Sequence, residues 1–160
     1  MCQAFLPLLR DNGRIVNVSS TAGKIGRYSP ELQAHFEDPN LGVPGVTALM
    51  ERFKTGVREG TYDTDGWPKS TYGVSKAGVT ALTIVLARDY EKGLLPADVK
   101  AKGLAICCCC PGYCDTDMTS HRGTRSAAEG ADTPVWLALE AHPATIQGGF
   151  FQDRKVVSFV

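Results

Sequence analysis

Two rhythms of apolar residues run along the chain, one of helical period and one of short unbroken runs. Residues 1–10 place Ala4, Phe5, Leu8 and Leu9 at helical spacing with no capping residue ahead of them, the pattern of a helix tail. Asp11-Asn12-Gly13 reads as a turn, with Gly13 suited to a left-handed cap, and the run from Arg14 to Val18 reads as a short buried strand. From residue 21 to 66 the chain is rich in glycine, proline and charge, with helical candidates at 30–36 and 46–58. A segment of that length is either an active-site lid with its own helices or an insertion. Residues 70–90 contain no proline and repeat Val74, Ala77, Ala81, Leu82, Val85 and Leu86, which predicts a buried helix of about five to six turns. A second buried strand runs from residue 103 into a row of cysteines and stops at Pro111-Gly112. Ser126 with Glu129 forms a capping box for a helix through Trp136, Leu137 and Leu139 that ends before Pro143. A last strand at 148–152 precedes a charged turn at 153–155 and an apolar tail.

Apolar strands separated by helices imply a parallel sheet covered on both faces, so the expected class is α/β with a doubly wound, Rossmann-type sheet. At 160 residues the chain is sized for one domain. Seventeen basic and seventeen acidic residues cancel and are scattered, which argues against a nucleic-acid partner. No apolar stretch approaches the ~18 residues of a membrane span, and the first nine residues carry no basic leader, so a cytoplasmic protein is expected.

Four of the six cysteines are consecutive, Cys107 to Cys110. Neighbouring side chains on a strand point to opposite faces, so such a run cannot surround one metal ion tetrahedrally. The pattern favours small buried hydrophobes in a central strand over a metal or redox module.

Reactive groups in a parallel sheet gather where strands end and helices begin. Ser19-Ser20 leaves the first strand, and Pro111-Gly112-Tyr113-Cys114-Asp115-Thr116-Asp117-Met118 leaves the second. Between them lie Tyr72 and Lys76, four apart and therefore on one helical face, about 6 Å apart along the axis. A nearby cation favours the ionised form of a phenol and makes it a usable proton donor and acceptor. Tyr72 is thus a candidate general acid, and a serine hydroxyl such as that of Ser20 can hold the same substrate oxygen.

Asn17-Val18-Ser19-Ser20, the Tyr72-to-Lys76 YxxxK spacing, and Pro111-Gly112 with Thr116, Asp117 and Met118 together resemble the serine, YxxxK and PG motifs of the short-chain dehydrogenases/reductases. The stretch from about 21 to 69 and the helix from Glu129 onward resemble the carbonyl reductase subfamily. The resemblance implies catalysis by Ser20, Tyr72 and Lys76, with Ser20 orienting the carbonyl, Tyr72 giving the proton, and Lys76 easing ionisation of that phenol while bonding the nicotinamide ribose. It implies NADPH as cofactor, with Tyr72, Lys76, Pro111, Gly112 and Thr116 along the nicotinamide, and Tyr113 beside Ser20 as a wall of the substrate pocket. The implied substrate is a small carbonyl compound, a ketone, aldehyde or quinone, and the implied state of a complete member is a monomer.

The family's glycine-rich phosphate turn and NNAG segment have no counterpart here. The expectation is therefore a single truncated domain lacking the nucleotide-binding part, with weak NADPH binding and an open strand edge able to associate. The alternative expectation is a catalytically inactive fragment or paralogue that acts as an interaction protein.

Overall fold

The computed structural model describes residues 2–160, apart from the side chain of Gln3. In chain order the elements are α1 (Cys2–Phe5), β1 (Arg14–Val18), α2 (Pro30–Glu37), α3 (Val43–Glu59), α4 (Thr71–Glu91), α5 (Ala97–Lys100), β2 (Ala105–Cys109), α6 (Ala127–Leu139), α7 (Pro143–Ile146), β3 (Phe150–Gln152) and β4 (Lys155–Val156). The strands form one sheet in the order β1-β2-β3-β4. β1 pairs in parallel with β2, Arg14 opposite Ala105 and Val18 opposite Cys109, and β2 pairs in parallel with β3. This is the α/β, parallel-dominated architecture that the unbroken apolar runs call for.

β4, missing from the sequence reading, pairs antiparallel with β3. The charged run at 153–155 does make a turn, with Asp153 and Arg154 both in the left-handed region, but it is tight enough to return the chain as a strand. A second correction concerns the turn before β1: the residue with positive φ is Asn12 (59°), not Gly13. Asparagine tolerates that conformation, and its amide N–H bonds the Lys102 carbonyl at 2.6 Å. Gly13 is needed for space, since a Cβ there would lie 2.8 Å from the Arg10 carbonyl. A third is that β1 is half-buried rather than buried, its last residue Val18 being 49% exposed. β1 has one hydrogen-bonded neighbour among the described residues, so one of its edges is open.

β2 is the centre, with Ala105 to Cys109 all buried. Its side chains divide between two layers. Ile106 packs with Leu86 and Ala87 of α4, whereas Ala105, Cys107 and Cys109 pack with Leu137 of α6 and Ile146 of α7. Cys108 lies on the α4 side, against Thr80 and Thr83. α4 and α6 therefore cover opposite faces. α4 begins where Ser70 accepts a hydrogen bond from the Gly73 amide at 3.0 Å, and α6 begins at the expected capping box of Ser126 and Glu129.

Residues 21–69 build a core of their own against α4. Tyr28, Phe36, Phe53 and Trp67 meet edge-on or tilted, with ring centroids 5.3–5.7 Å apart between Tyr28 and Phe36, Tyr28 and Trp67, and Phe53 and Trp67. Ile25, Leu32, Val46 and Leu49 complete the cluster against Val74, Ala77, Ala81 and Val85. The C-terminal segment closes it, with Phe159 against Phe36 and the Ile25 amide bonded to the Phe159 carbonyl at 2.9 Å.

Burial pushes the Cys107 and Cys108 thiols up to about 12 and the Cys109 thiol up to about 11 from an ordinary 9.0, because the charged thiolate is the desolvated form. Burial likewise pushes the Tyr28 phenol from 10.0 up to about 12. The unfolded chain releases these protons from about pH 9 upward while the native chain keeps them, so the stability is whole below that pH and drains as pH rises toward about 12. The denaturant midpoint is expected to fall continuously above about pH 9, with a shallower decline in Cys108→Ala. A flat profile would contradict this.

Candidate functional site

A cavity of about 900 Å³ opens at the carboxyl ends of β1 and β2. Ser20, Tyr72, Pro111, Gly112, Tyr113 and Thr116 all line it, so six of the seven residues singled out from the sequence converge on one space. Lys76 stands behind the wall. Its ammonium is 5.6 Å from the centroid of the Tyr72 ring and donates to the Val18 carbonyl at 2.9 Å.

Three elements bring these groups together, and the contacts between them explain why. The end of β1 is stitched to α4 by buried Ser19, whose Oγ donates to the Lys76 carbonyl at 3.0 Å and shares a hydrogen bond of 2.6 Å with Thr80 Oγ1. Of the serine pair, then, Ser19 is the structural member. Ser20 faces the cavity, and its Oγ accepts the Ala22 amide at 3.2 Å. That use of a lone pair leaves the hydroxyl proton to be donated into the cavity.

The 3-10 turn Thr21–Gly23 then lies directly on α4. A Cβ on Gly23 would sit 2.6 Å from the Ala77 amide nitrogen, and one on Gly73 would sit 2.6 Å from the Ala22 carbonyl. Both glycines are needed for this approach, which sets Ser20 beside the first turn of α4 where Tyr72 projects. Sequence reasoning missed them, because neither has positive φ and neither sits at a turn signal. The available sign was that Gly73 follows Tyr72 directly in the first turn of a helix, where glycine costs stability unless another chain comes close.

The second strand end supplies the floor. Gly112 has φ 82°, which favours glycine, and a Cβ there would meet the Arg125 guanidinium at 2.5 Å. Arg125 donates to the Pro111 carbonyl at 3.2 Å and pairs with Asp153 at 2.8 Å, tying this loop to the turn between β3 and β4. The Arg125 hydrogen bond holds the Asp153 carboxyl below the usual carboxylate range. Thr116 lines the cavity at the N-cap of the short helix Asp117–Thr119, its amide donating to Thr119 Oγ1 at 3.2 Å.

Tyr72 and Tyr113 are each about half exposed, 50% and 52%, and both line the cavity. Neither α2 nor α3 lines the cavity; of residues 21–69 only Thr21 and Ala22 do, so the two helices are not its lid. Among the described residues no group of His, Cys, Asp and Glu is placed to hold a metal ion. No helix among the described residues is long and apolar enough to cross a membrane. Ser20 and Tyr72 thus line one cavity, with the Lys76 cation 5.6 Å from the centroid of the Tyr72 ring.

No family model matches the sequence. Curated relatives do. The chain is 39% identical over 159 residues to carbonyl reductase [NADPH] 3 of Rattus norvegicus and 38% identical to carbonyl reductase [NADPH] 1 of Homo sapiens, covering 98% of this chain and 56% of each relative. The chain thus spans about half the length of the curated relatives it matches. Among solved structures it is similar to salutaridine reductase from Papaver somniferum, with a TM-score of 0.73 and 31% identity over 89% of this chain and 46% of that one. Menthone neomenthol reductase from Mentha piperita gives a TM-score of 0.69 at 28% identity, over 93% of this chain and 44% of that one.

Proposed function

We propose that this chain, a member of the short-chain dehydrogenase/reductase superfamily similar to the carbonyl reductases, carries the proton-transfer half of an NADPH-dependent carbonyl reduction. The convergence of Ser20, Tyr72, Pro111, Gly112 and Thr116 on one cavity, with the Lys76 cation behind Tyr72, is the observation that supports it. Small ketones, aldehydes and quinones are the proposed substrates, and a cytoplasmic, monomeric setting belongs to the same proposal.

The residues present fit the nicotinamide end of the cofactor: the floor at Pro111-Gly112 is compact, with no side chain at Gly112, and Thr116 stands at its margin. When bound, NADPH supplies the hydride. Ser20 Oγ holds the carbonyl oxygen by donating its free proton, which orients the carbonyl and stabilises negative charge on that oxygen. Tyr72 Oη gives its proton to the same oxygen as it becomes a hydroxyl. In the proposal the ammonium of Lys76, 5.6 Å from the centroid of the Tyr72 ring and bonded to the Val18 carbonyl, is the cation that stands behind the proton donor. Tyr113, with Met118 and Pro134, supplies apolar wall.

The phosphate end has no such fit. The sequence contains no GxxxGxG turn, the arrangement whose bare backbone lets a pyrophosphate approach a helix N-terminus. NADPH binding by this chain is accordingly weak in the proposal. Following NADPH consumption with a quinone is expected to show turnover that climbs with cofactor without saturating in the micromolar range, and that drops about a hundredfold in Ser20→Ala. Absence of turnover at every cofactor concentration, or turnover indifferent to Ser20→Ala, would overturn the reading. A second reading, a silent interaction module, is favoured by the open edge of β1 and gains from the same null result.

A further inference from the structure

Of the residues lining the cavity, Arg122 alone carries a full charge. It arrives there by an unusual path: Ser120 and His121 are both left-handed, with φ of 52° and 56°, and the double reversal turns the chain back toward the floor at Pro111–Cys114. The neighbouring arginine of the loop, Arg125, is held by Asp153 and the Pro111 carbonyl. The guanidinium of Arg122 has no hydrogen-bond acceptor among the described residues, its backbone N–H alone being engaged, by the Thr119 carbonyl. The acids nearest in sequence make no ion pair with it. Asp115 and Asp117 each place a carboxylate oxygen on one ring nitrogen of His121, at 2.8 and 2.9 Å, and neither lines the cavity.

An exposed arginine without a side-chain partner, lining the same cavity as Tyr113, Met118 and Pro134, favours a ligand with an apolar body and an oxyanion. The planar fork of donors matches a carboxylate with two parallel hydrogen bonds. We propose that Arg122 makes this cavity selective for carbonyl compounds that bear a carboxylate, which it holds while Ser20 and Tyr72 take the carbonyl oxygen. The proposal rests on the reductase reading for the position of that oxygen. A phosphate of a dinucleotide shares the oxyanion chemistry, and the test separates the two sources.

The full chain is titrated by calorimetry with phenylglyoxylate, with its uncharged methyl ester, and with inorganic pyrophosphate. Phenylglyoxylate is expected to bind roughly two- to fivefold more tightly than the ester, the advantage of one exposed ion pair, and the difference shrinks with added salt. In Arg122→Gln the acid-to-ester ratio falls toward one, and Arg122→Lys restores part of it. Circular dichroism confirms that the variants remain folded. Ester binding with no acid advantage, or an advantage kept in Arg122→Gln, overturns the proposal alone. Pyrophosphate binding that depends on Arg122 while phenylglyoxylate binding does not reassigns the arginine to a phosphate and overturns it as well. Binding of none of the three overturns this proposal, while the reductase reading stands or falls separately on NADPH-dependent turnover of the quinone.

Discussion

Exchanging Tyr72 for phenylalanine is expected to lower the rate of carbonyl reduction by about a hundredfold to ten-thousandfold, the range that a positioned proton donor contributes. The ring stays and only Oη is lost. Because Tyr72 is half exposed and its hydroxyl makes no hydrogen bond to the described residues, the fold loses nothing by the change, and the thermal midpoint is expected to be unaltered. Tyr113→Phe is the matched control: a phenol of similar exposure in the same cavity, without a cation behind it. Its effect is expected to fall on KM rather than kcat. Equal losses in the two variants would show that the cavity uses its phenols only for binding, and would remove Tyr72 from the chemistry.

Gly23→Ala is expected to do damage of a different kind. One methyl group is added, but the atoms it meets are the Ala77 nitrogen at 2.6 Å and the Lys76 carbonyl carbon at 2.7 Å, backbone of a helix that cannot rotate aside. The turn bearing Ser20 must lift from α4. Overpacking of this sort costs about 1–3 kcal/mol of stability. Displacement of a reacting group by about 1 Å costs on the order of a hundredfold in rate, so kcat/KM is expected to fall further than the stability alone explains. Gly26→Ala, where the nearest atom to the added carbon is 3.7 Å away, is expected to leave both quantities unchanged. Chemical denaturation and the quinone assay on the two variants check the contrast, and a Gly23→Ala protein as active as Gly26→Ala would show that the close approach does not position Ser20.

The elements of this fold were legible wherever one physical signal dominated. β1 occupies the five residues that its run of branched side chains marks out, and α4 begins one residue after the serine that caps it. β4 escaped because Lys155 and Val156 form a strand only through their partner β3; two residues carry no periodicity. Asn12 and Gly13 were misassigned because a turn signal names a group of residues and the left-handed position within it is decided by the contacts on either side, here the bond from Asn12 to Lys102. The chemistry-bearing residues could be listed from the chain because they sit at strand exits and at helical spacing. Their division of labour could not. Nothing in the dipeptide Ser19-Ser20 says that the first hydroxyl is buried on Thr80 and the second is open, nor that Lys76 reaches the Val18 carbonyl. Gly23 and Gly73 were invisible for the same reason, since the need for glycine there comes from a neighbour fifty residues away in the chain. Arg122 belongs with them: what sets it apart is that its acidic neighbours are occupied by His121, which only coordinates reveal.

The division of the β2 side chains between two layers gives the protein a built-in reporter of its own opening. A reagent that alkylates sulfur meets no thiol of the run from Cys107 to Cys109 in the closed molecule, since all three are fully buried. Modification at Cys107 or Cys109 therefore records departure of the helix layer made by α6 and α7, and modification at Cys108 records departure of α4. Adjacent positions in one strand thus keep separate time for the two sides of the sheet.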